Sequence, residues 1–364
     1  MTGVRRIDQV VPTLAGRDAI GRHTLQVRRL LRQMGFASEV YFANASTDVL
    51  DEGRHIEQLG DADPDGRWLL YQMSIGSPVA STFAGRPEPK LVDYHNISPA
   101  ELFDPWEPEV SEELKLGRLQ MRQLAPLTTL AMADSPYNEA ELKSAGYALT
   151  AVAPLLIDLD DFQGRADPGL SRRLASQRSQ GGHDLLFVGK VAPHKAQHDL
   201  LKAFALYRRL YDPCARLRLV GGAIGEAYPW ALERFAESLG VLDGLEVPGL
   251  VSHAELVAYY RNADVFVCLS EHEGFCVPLV EAMVHRLPIV AYGAAAVPDT
   301  IGDAGIVLDS KEPLRVAAAI DRVVGDGELR EALDREAGRR LSSMSLERSR
   351  HHFAEVISSA ISRA

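Results

Sequence analysis

Two carboxylates on either side of a tight turn carry the strongest chemical signal in this sequence. Residues 271–283 read Glu-His-Glu-Gly-Phe-Cys-Val-Pro-Leu-Val-Glu-Ala-Met, so Glu273 and Glu281 flank Gly274, Phe275, Cys276, Val277 and Pro278. The apolar run 265–269 ahead of them reads as a strand. Pro278 suits the first position of a following helix, where its missing N–H costs nothing. A helix N-terminus at the end of a strand presents unpaired N–H groups and partial positive charge, which favour a phosphate. Glu281 is then expected in the first helical turn. One loop would thus offer an anion site and two acceptors for hydroxyls, which is the pattern of groups on a nucleotide sugar. Either carboxylate alone would read as a helix-dipole partner or a solvated loop acid. The whole string after an apolar strand supports the functional reading.

Alternating strands and helices must position this loop. Strands are expected at 7–11, 40–43, 68–71, 90–94 and 128–133. Ile20, Thr24, Val27, Leu30, Leu31 and Met34 recur at helical spacing, and Gly35 ends that run. Residues 111–123 have the charge and spacing of a helix. A second series follows, with strands at 185–188, 216–220, 245–247, 265–269 and 289–291 and helices at 197–210 and 230–239. Residues 159–182 are rich in Asp, Gly, Ser, Arg and Gln, which reads as a linker or exposed hinge. The pattern predicts an α/β protein with two parallel sheets, and ligands at the carboxyl ends of the strands.

Further candidates follow other strands. Lys190 and Lys195 come just after a strand that ends at Gly189, where paired lysines suit a diphosphate. His194 reads as a loop residue. Gly221 and Gly222 end the next strand, where glycine permits a tight turn or close backbone approach. His95 follows the strand 90–94 and reads either as a site residue or as a buried, hydrogen-bonded core histidine. Residues 16–21, ending in Gly21, precede a helix, and their backbone N–H groups could face a phosphate; a plain turn is the alternative. Residues 74–77 form another small-residue loop. Ser135, Tyr137 and Asn138 line the site or cap the next helix.

The 364 residues suggest two domains of ordinary size. A formal charge of -11 argues against a nucleic-acid footprint over the whole surface. It leaves open a local basic patch for peripheral membrane contact. No run approaches the roughly 18 apolar residues of a spanning helix. The start of the chain lacks the apolar core of a signal peptide. Cys214, Cys268 and Cys276 form no metal-like pair by spacing, and their odd number suits a reducing cytosol. A cytoplasmic location is expected, extending to the inner face of the membrane.

The string from Glu273 to Ala282 resembles the Glu-x7-Glu motif of family-four retaining nucleotide-sugar glycosyltransferases, usually Glu-Gly-Phe-Gly-x-Pro-x-x-Glu-Ala. This chain keeps Glu273, Gly274, Phe275, Pro278, Glu281 and Ala282, with Cys276 where glycine is usual. The resemblance spans residues 185–310 and, through fewer residues, 1–150. It implies a GT-B fold: two Rossmann-like domains facing a central cleft. The implied layout is an acceptor-side domain at 1–158, a hinge at 159–182 and a nucleotide-sugar-binding domain at 183–344. A C-terminal helix at 345–364 would return to brace the first domain.

The resemblance also implies roles. Lys190, in place of the family's arginine, and Lys195 would contact the donor diphosphate. Glu273 would orient the sugar, Glu281 would bind ribose hydroxyls, and His95 would approach the sugar. Backbone groups of Leu250 and Val251 would meet the base. Gly21, Gly189, Gly222, Gly274, Phe275, Cys276 and Val277 would line the donor. The family usually has Gly-Gly-Ile-Gly before the first helix, where Asp18 and Ala19 stand here. Asp299 replaces a glutamate in the turn after residue 294.

The implied activity is metal-independent retaining hexosyl transfer from a UDP- or GDP-linked sugar to a glycan, glycolipid or small-molecule acceptor, as in cell-surface polysaccharide biosynthesis. No cofactor and no metal are expected. Asp158 and Asp160 have the spacing of a metal pair but fall in the expected hinge. A sugar-nucleotide 2-epimerase and an inert sugar-nucleotide-binding module are the alternatives. Epimerases of similar architecture lack the Glu273–Glu281 string.

Overall fold

The computed structural model describes residues 4–16 and 18–363. Residues 1–3, Arg17 within the loop before Gly21, and Ala364 at the end of the expected C-terminal helix lie outside the described residues. The chain divides into two compact units. Unit 1 takes the chain up to residue 100, then 109–158 and the stretch from 344. Unit 2 takes 101–108 and 159–343.

Unit 1 is built from β1 (Arg6–Leu14), α1 (Ala19–Gln33), β2 (Val40–Ala45), β3 (Arg54–His55), β4 (Arg67–Met73), α2 (Pro78–Gly85), β5 (Lys90–Tyr94), α3 (Pro108–Leu124), β6 (Leu130–Ala133), α4 (Pro136–Ser144) and β7 (Thr150–Val152). Its sheet runs β3-β2-β1-β4-β5-β6-β7 with every pair parallel. β4 is buried along its whole length, because a parallel strand covered by helices on both faces reads as a continuous apolar run.

Unit 2 contains α5 (Pro168–Ser179), β8 (Asp184–Val188), α6 (Gln197–Leu210), β9 (Arg216–Val220), α7 (Ala227–Ser238), β10 (Leu245–Gly249), α8 (His253–Asn262), β11 (Val265–Cys268), α9 (Val277–Val284), β12 (Ile289–Tyr292), α10 (Val297–Ile301), β13 (Ile306–Leu308), α11 (Pro313–Gly325) and α12 (Gly327–Ser343). Its parallel sheet runs β10-β9-β8-β11-β12-β13. The last helix, α13 (Leu346–Arg363), belongs to unit 1, where Phe353, Ile357, Ala360 and Ile361 join a core with Ile7, Val27 and Leu70. Among the described residues no helix is long and apolar enough to cross a membrane.

Two expectations about boundaries are corrected. Residues 159–182 are not an irregular linker. They carry α5, whose N-cap Asp167 accepts from the Leu170 N–H at 2.6 Å and whose Leu174 is buried in the core of unit 2. The polar residues that suggested a hinge are the solvated face of that helix. Residues 101–108 belong with unit 2 rather than with the preceding chain. There Trp106 packs edge-on against Tyr228 at 5.3 Å and Phe103 lies against His194 at 5.1 Å.

Unit 1 buries a polar chain beneath its sheet. The Thr24 carbonyl accepts from Gln9 Nε2 at 3.0 Å, which turns Gln9 Oε1 toward Gln72 Nε2 at 2.9 Å. Gln72 Oε1 therefore faces His95 Nε2, and Asp134 faces His95 Nδ1 at 3.0 Å. Both partners are acceptors, so both ring nitrogens donate and His95 is an imidazolium. Burial alone would lower its pKa. The carboxylates of Asp134 and Asp93 override that and raise it from 6.5 to about 9. Beside it, His23 Nδ1 accepts from the Leu156 N–H at 2.9 Å, which puts the proton on Nε2, facing Asp93 at 2.8 Å.

A raised pKa in the folded state stabilises it fully below the unfolded value and loses that contribution as pH rises. The stabilisation from His95 should be complete below pH 6.5 and fall away as pH passes about 9. The gap in melting temperature between the wild type and His95→Gln should therefore shrink from pH 7 to pH 10. A gap that stays constant across that range overturns the assignment.

Candidate functional site: the loops around the β8–β11 switch point

In each sheet the strand order reverses at one place, and the loops on either side diverge to leave a crevice at the carboxyl ends. In unit 2 the reversal lies between β8 and β11. The loop after β8 carries Lys195 and the loop after β11 carries Glu273. Lys195 Nζ donates to Glu273 Oε1 at 2.6 Å, with side chains 17% and 8% exposed. Burial would lower the Lys195 pKa, and the Glu273 carboxylate reverses that, so the ammonium stays charged. The Glu271 N–H also donates to the His194 carbonyl at 2.8 Å, a second tie between the two loops. On the far side, the Ala296 N–H donates to the Glu273 carbonyl at 3.2 Å, and the Thr300 hydroxyl donates to the Phe275 carbonyl. Residues 271–277 are thus clamped between the β8 loop and α10. His194 is buried, and its pKa is held far below the ordinary value by burial and by the charge of Lys195. It is a neutral loop residue, as expected from its place after the strand.

Cys276 is the N-cap of α9 at φ 68 and ψ 68, in the left-handed region. Glycine occupies that region without strain, whereas other residues pay about 1–2 kcal/mol. The departure from the usual glycine therefore falls where the backbone most favours one. Because α9 begins at Val277, Pro278 is its second residue rather than its first. Glu281 lies past the first turn rather than in it. Its Oε2 accepts from the Tyr260 hydroxyl at 2.7 Å, and the Tyr260 ring stacks on His285 at 5.1 Å. Tyr260 was invisible to motif reasoning, since it comes from α8. Its apolar helical neighbours gave the only signal, that of a core residue.

The other predicted residues divide. Gly189 and Gly221 press backbone to backbone: a Cβ on Gly221, at φ 148, would stand 2.1 Å from the Gly189 carbonyl oxygen. A Cβ on Gly222 would touch the Leu250 side chain at 3.0 Å. These glycines serve close approach of adjacent strand ends. Lys190 is exposed. Leu250 and Val251 line a concavity with Leu170, Arg173, Glu246 and Tyr259. Its polar wall is held by Arg173 on Glu246 at 2.6 Å and by the Tyr259 hydroxyl on Glu246 at 2.9 Å. Gly274, Phe275 and Val277 belong to the clamped loop and the helix start. Ser135 caps α4, accepting from the Asn138 N–H at 3.2 Å.

Two readings in unit 1 need correction. Gly21 does not present its N–H to a ligand, because Asp18 Oδ1 accepts it at 2.9 Å as the N-cap of α1. The carboxylate that replaces a usual glycine neutralises the helix terminus from within. Gly21 is required by packing, since a Cβ there would stand 1.9 Å from the Ala15 carbonyl oxygen. His95 has both ring nitrogens engaged, so it is the buried, hydrogen-bonded histidine of the two readings.

Spacing also misjudged the cysteines. Cys268 and Cys276, eight residues apart, meet beside Glu273, because the loop after β11 folds back over the strand end. Among the described residues, the groups of three whose donor atoms approach one another closely enough for a metal are Cys268, Glu273 and Cys276, and His23, Asp93 and His95. Asp158 and Asp160 are in neither. The histidine group is already consumed by hydrogen bonds.

Residues 173–340 match the family model described as glycosyl transferases group 1. A D-inositol 3-phosphate glycosyltransferase of Thermobifida fusca (strain YX) is 36% identical over 157 residues, covering 41% of this chain and 36% of that protein. One of the same description from Thermomonospora curvata is 30% identical over 260 residues, covering 67% and 59%. The matched stretches thus span between 36% and 59% of the length of these curated relatives. The crystal structure of Anabaena HepE in complex with UDP and glucose superposes with a TM-score of 0.77 over 97% of this chain and 100% of that one, at 16% identity. The fold is that of the GT-B glycosyltransferases, and residues 173–340 carry a glycosyl transferases group 1 domain.

Proposed function

We propose that the protein is a metal-independent retaining hexosyltransferase. It would move a sugar from a UDP- or GDP-linked donor to a glycan, glycolipid or small-molecule acceptor. The observation that carries this reading is the Lys195–Glu273 pair at the strand-order reversal. A buried ion pair is weak evidence for stability, because desolvation offsets most of its attraction. It is well suited to exchange, since an arriving diphosphate takes the ammonium and a sugar hydroxyl takes the carboxylate. Lys190 and the N-terminus of α9 add positive potential for the same diphosphate. Glu281, aimed by Tyr260, accepts from the ribose hydroxyls. The concavity beside Leu250 and Val251 receives the base.

In the step itself, the bond from the anomeric carbon to the phosphate oxygen breaks, and a bond to the acceptor oxygen forms on the same face. The acceptor proton passes to the departing phosphate oxygen, so no electrons are lost or gained. Glu273 orients the sugar. The relatives' names make an inositol phosphate the first acceptor to try. With a labelled donor panel, transfer to acceptor with release of nucleoside diphosphate supports the reading. Release of an epimerised nucleotide sugar without acceptor would point to a 2-epimerase, and binding without turnover to an inert module.

Glu281→Ala should weaken donor binding by about 1.5–3 kcal/mol, roughly 10- to 150-fold, through loss of a charged acceptor. Tyr260→Phe should weaken it in the same direction and by less. Titration of donor alongside single-turnover kinetics separates the two effects, and intact affinity with collapsed chemistry would refute the ribose role.

Lys195→Ala should lower turnover about 100- to 1000-fold, because its charge matters most as the diphosphate departs. Chelator should not lower wild-type turnover. Activity that disappears with chelator and returns with magnesium contradicts the mechanism.

A further inference from the structure

We infer that Cys268, Cys276 and Glu273 form a site for a thiophilic divalent cation of the zinc class. The two Sγ atoms and a Glu273 carboxylate oxygen all lie within 4.8 Å of one another, in a pocket where each residue is more than nine-tenths buried. On tetrahedral zinc, with bonds of about 2.3 Å to sulfur and about 2.0–2.2 Å to carboxylate oxygen, two thiolates stand about 3.8 Å apart. On the same geometry sulfur and carboxylate oxygen stand about 3.6 Å apart, so closing the donor set takes a contraction of at most about 1.2 Å. Ser270 Oγ stands 3.3 Å from Cys268 Sγ, where its hydroxyl can donate to the thiolate and orient it.

The charges also balance. Before binding, two neutral thiols accompany the Lys195–Glu273 pair, which sums to zero. A divalent ion displaces both thiol protons, and two thiolates, one carboxylate and the ion sum to minus one, which Lys195 neutralises. Each ion bound releases two protons, and no oxidant or reductant is needed. The usual glycine at position 276 would supply no ligand, so the site is particular to the cysteine that stands there in the left-handed conformation. The His23, Asp93 and His95 group differs in this respect, because its ring nitrogens already hold Leu156, Asp93, Gln72 and Asp134. The consequence for function rests on the donor-binding reading of Glu273: an ion that takes this carboxylate competes with the donor sugar. Uptake of the ion itself does not depend on that reading.

The test uses the full chain, reduced and stripped of metal, titrated with zinc and with cadmium. Calorimetry in buffers of different ionisation enthalpy should show one tight ion per chain, about two protons released and affinity that rises with pH. Cadmium should add the near-ultraviolet charge-transfer absorption of thiolate ligands. Cys268→Ser should lose affinity by more than about 100-fold, whereas Cys214→Ser should bind as the wild type does. Glu273→Gln should keep the thiolate absorption and bind more weakly. Circular dichroism and melting temperature establish that each variant is folded. Tight uptake that survives Cys268→Ser, uptake that requires Cys214, or no uptake from micromolar zinc by fully reduced protein each overturns the site. Zinc uptake that leaves binding of the intact nucleotide sugar accepted in the donor panel unchanged would keep the site and overturn its effect on the donor.

Discussion

The reversal of strand order between β8 and β11 is the constraint on which the candidate site depends. Right-handed crossovers send β9 and β10 to one side of β8 and β12 and β13 to the other side of β11. At the carboxyl ends of the two central strands the chain leaves in opposite directions, which opens a crevice between them. The loops that leave them, carrying Lys195 and Glu273, must therefore meet across it. Their ion pair at 2.6 Å is the local outcome. The glycine contacts at 189 and 221, and the clamp from α10 onto the carbonyls of Glu273 and Phe275, keep that outcome fixed.

Unit 1 uses its equivalent position differently. Its reversal falls between β1 and β4, and the helix after β1 begins with a carboxylate rather than an open ring of N–H groups. Asp18 satisfies the terminus from within, and Gln9, Gln72 and His95 form a buried chain whose polarity is set by one backbone carbonyl, that of Thr24. Such a chain is costly if any member is unsatisfied, so it fixes rotamers tightly. The two units therefore share a topology while differing in chemistry: a charged, exchangeable pair in one and a closed network in the other.

Cys276 shows how one substitution changes both backbone and chemistry. Holding a side chain at φ 68 costs free energy that glycine would not. The same geometry turns a thiol toward Cys268 and Glu273. Strained residues cluster at binding and catalytic sites, and Cys276 stands beside the candidate binding groups.

The sequence by itself determined the α/β class, most strand positions and the loop from Glu273 to Glu281, because apolar runs and turn residues act locally. Helix 197–210 and strand 90–94 were legible to the residue. The short edge strands β3, β7 and β13 were not, since two or three residues carry no periodicity. Composition misread 159–182, because a helix docked by one leucine is mostly polar. What only the tertiary structure decided was pairing. Tyr260 reaching Glu281, Asp134 and Gln72 consuming both nitrogens of His95, and Cys268 meeting Cys276 all join side chains from separate elements or across a folded-back loop. Spacing along the chain fixes which residues share a strand or a helix face. Which faces and loop ends meet depends on strand order and helix docking, set by burial over the whole sheet.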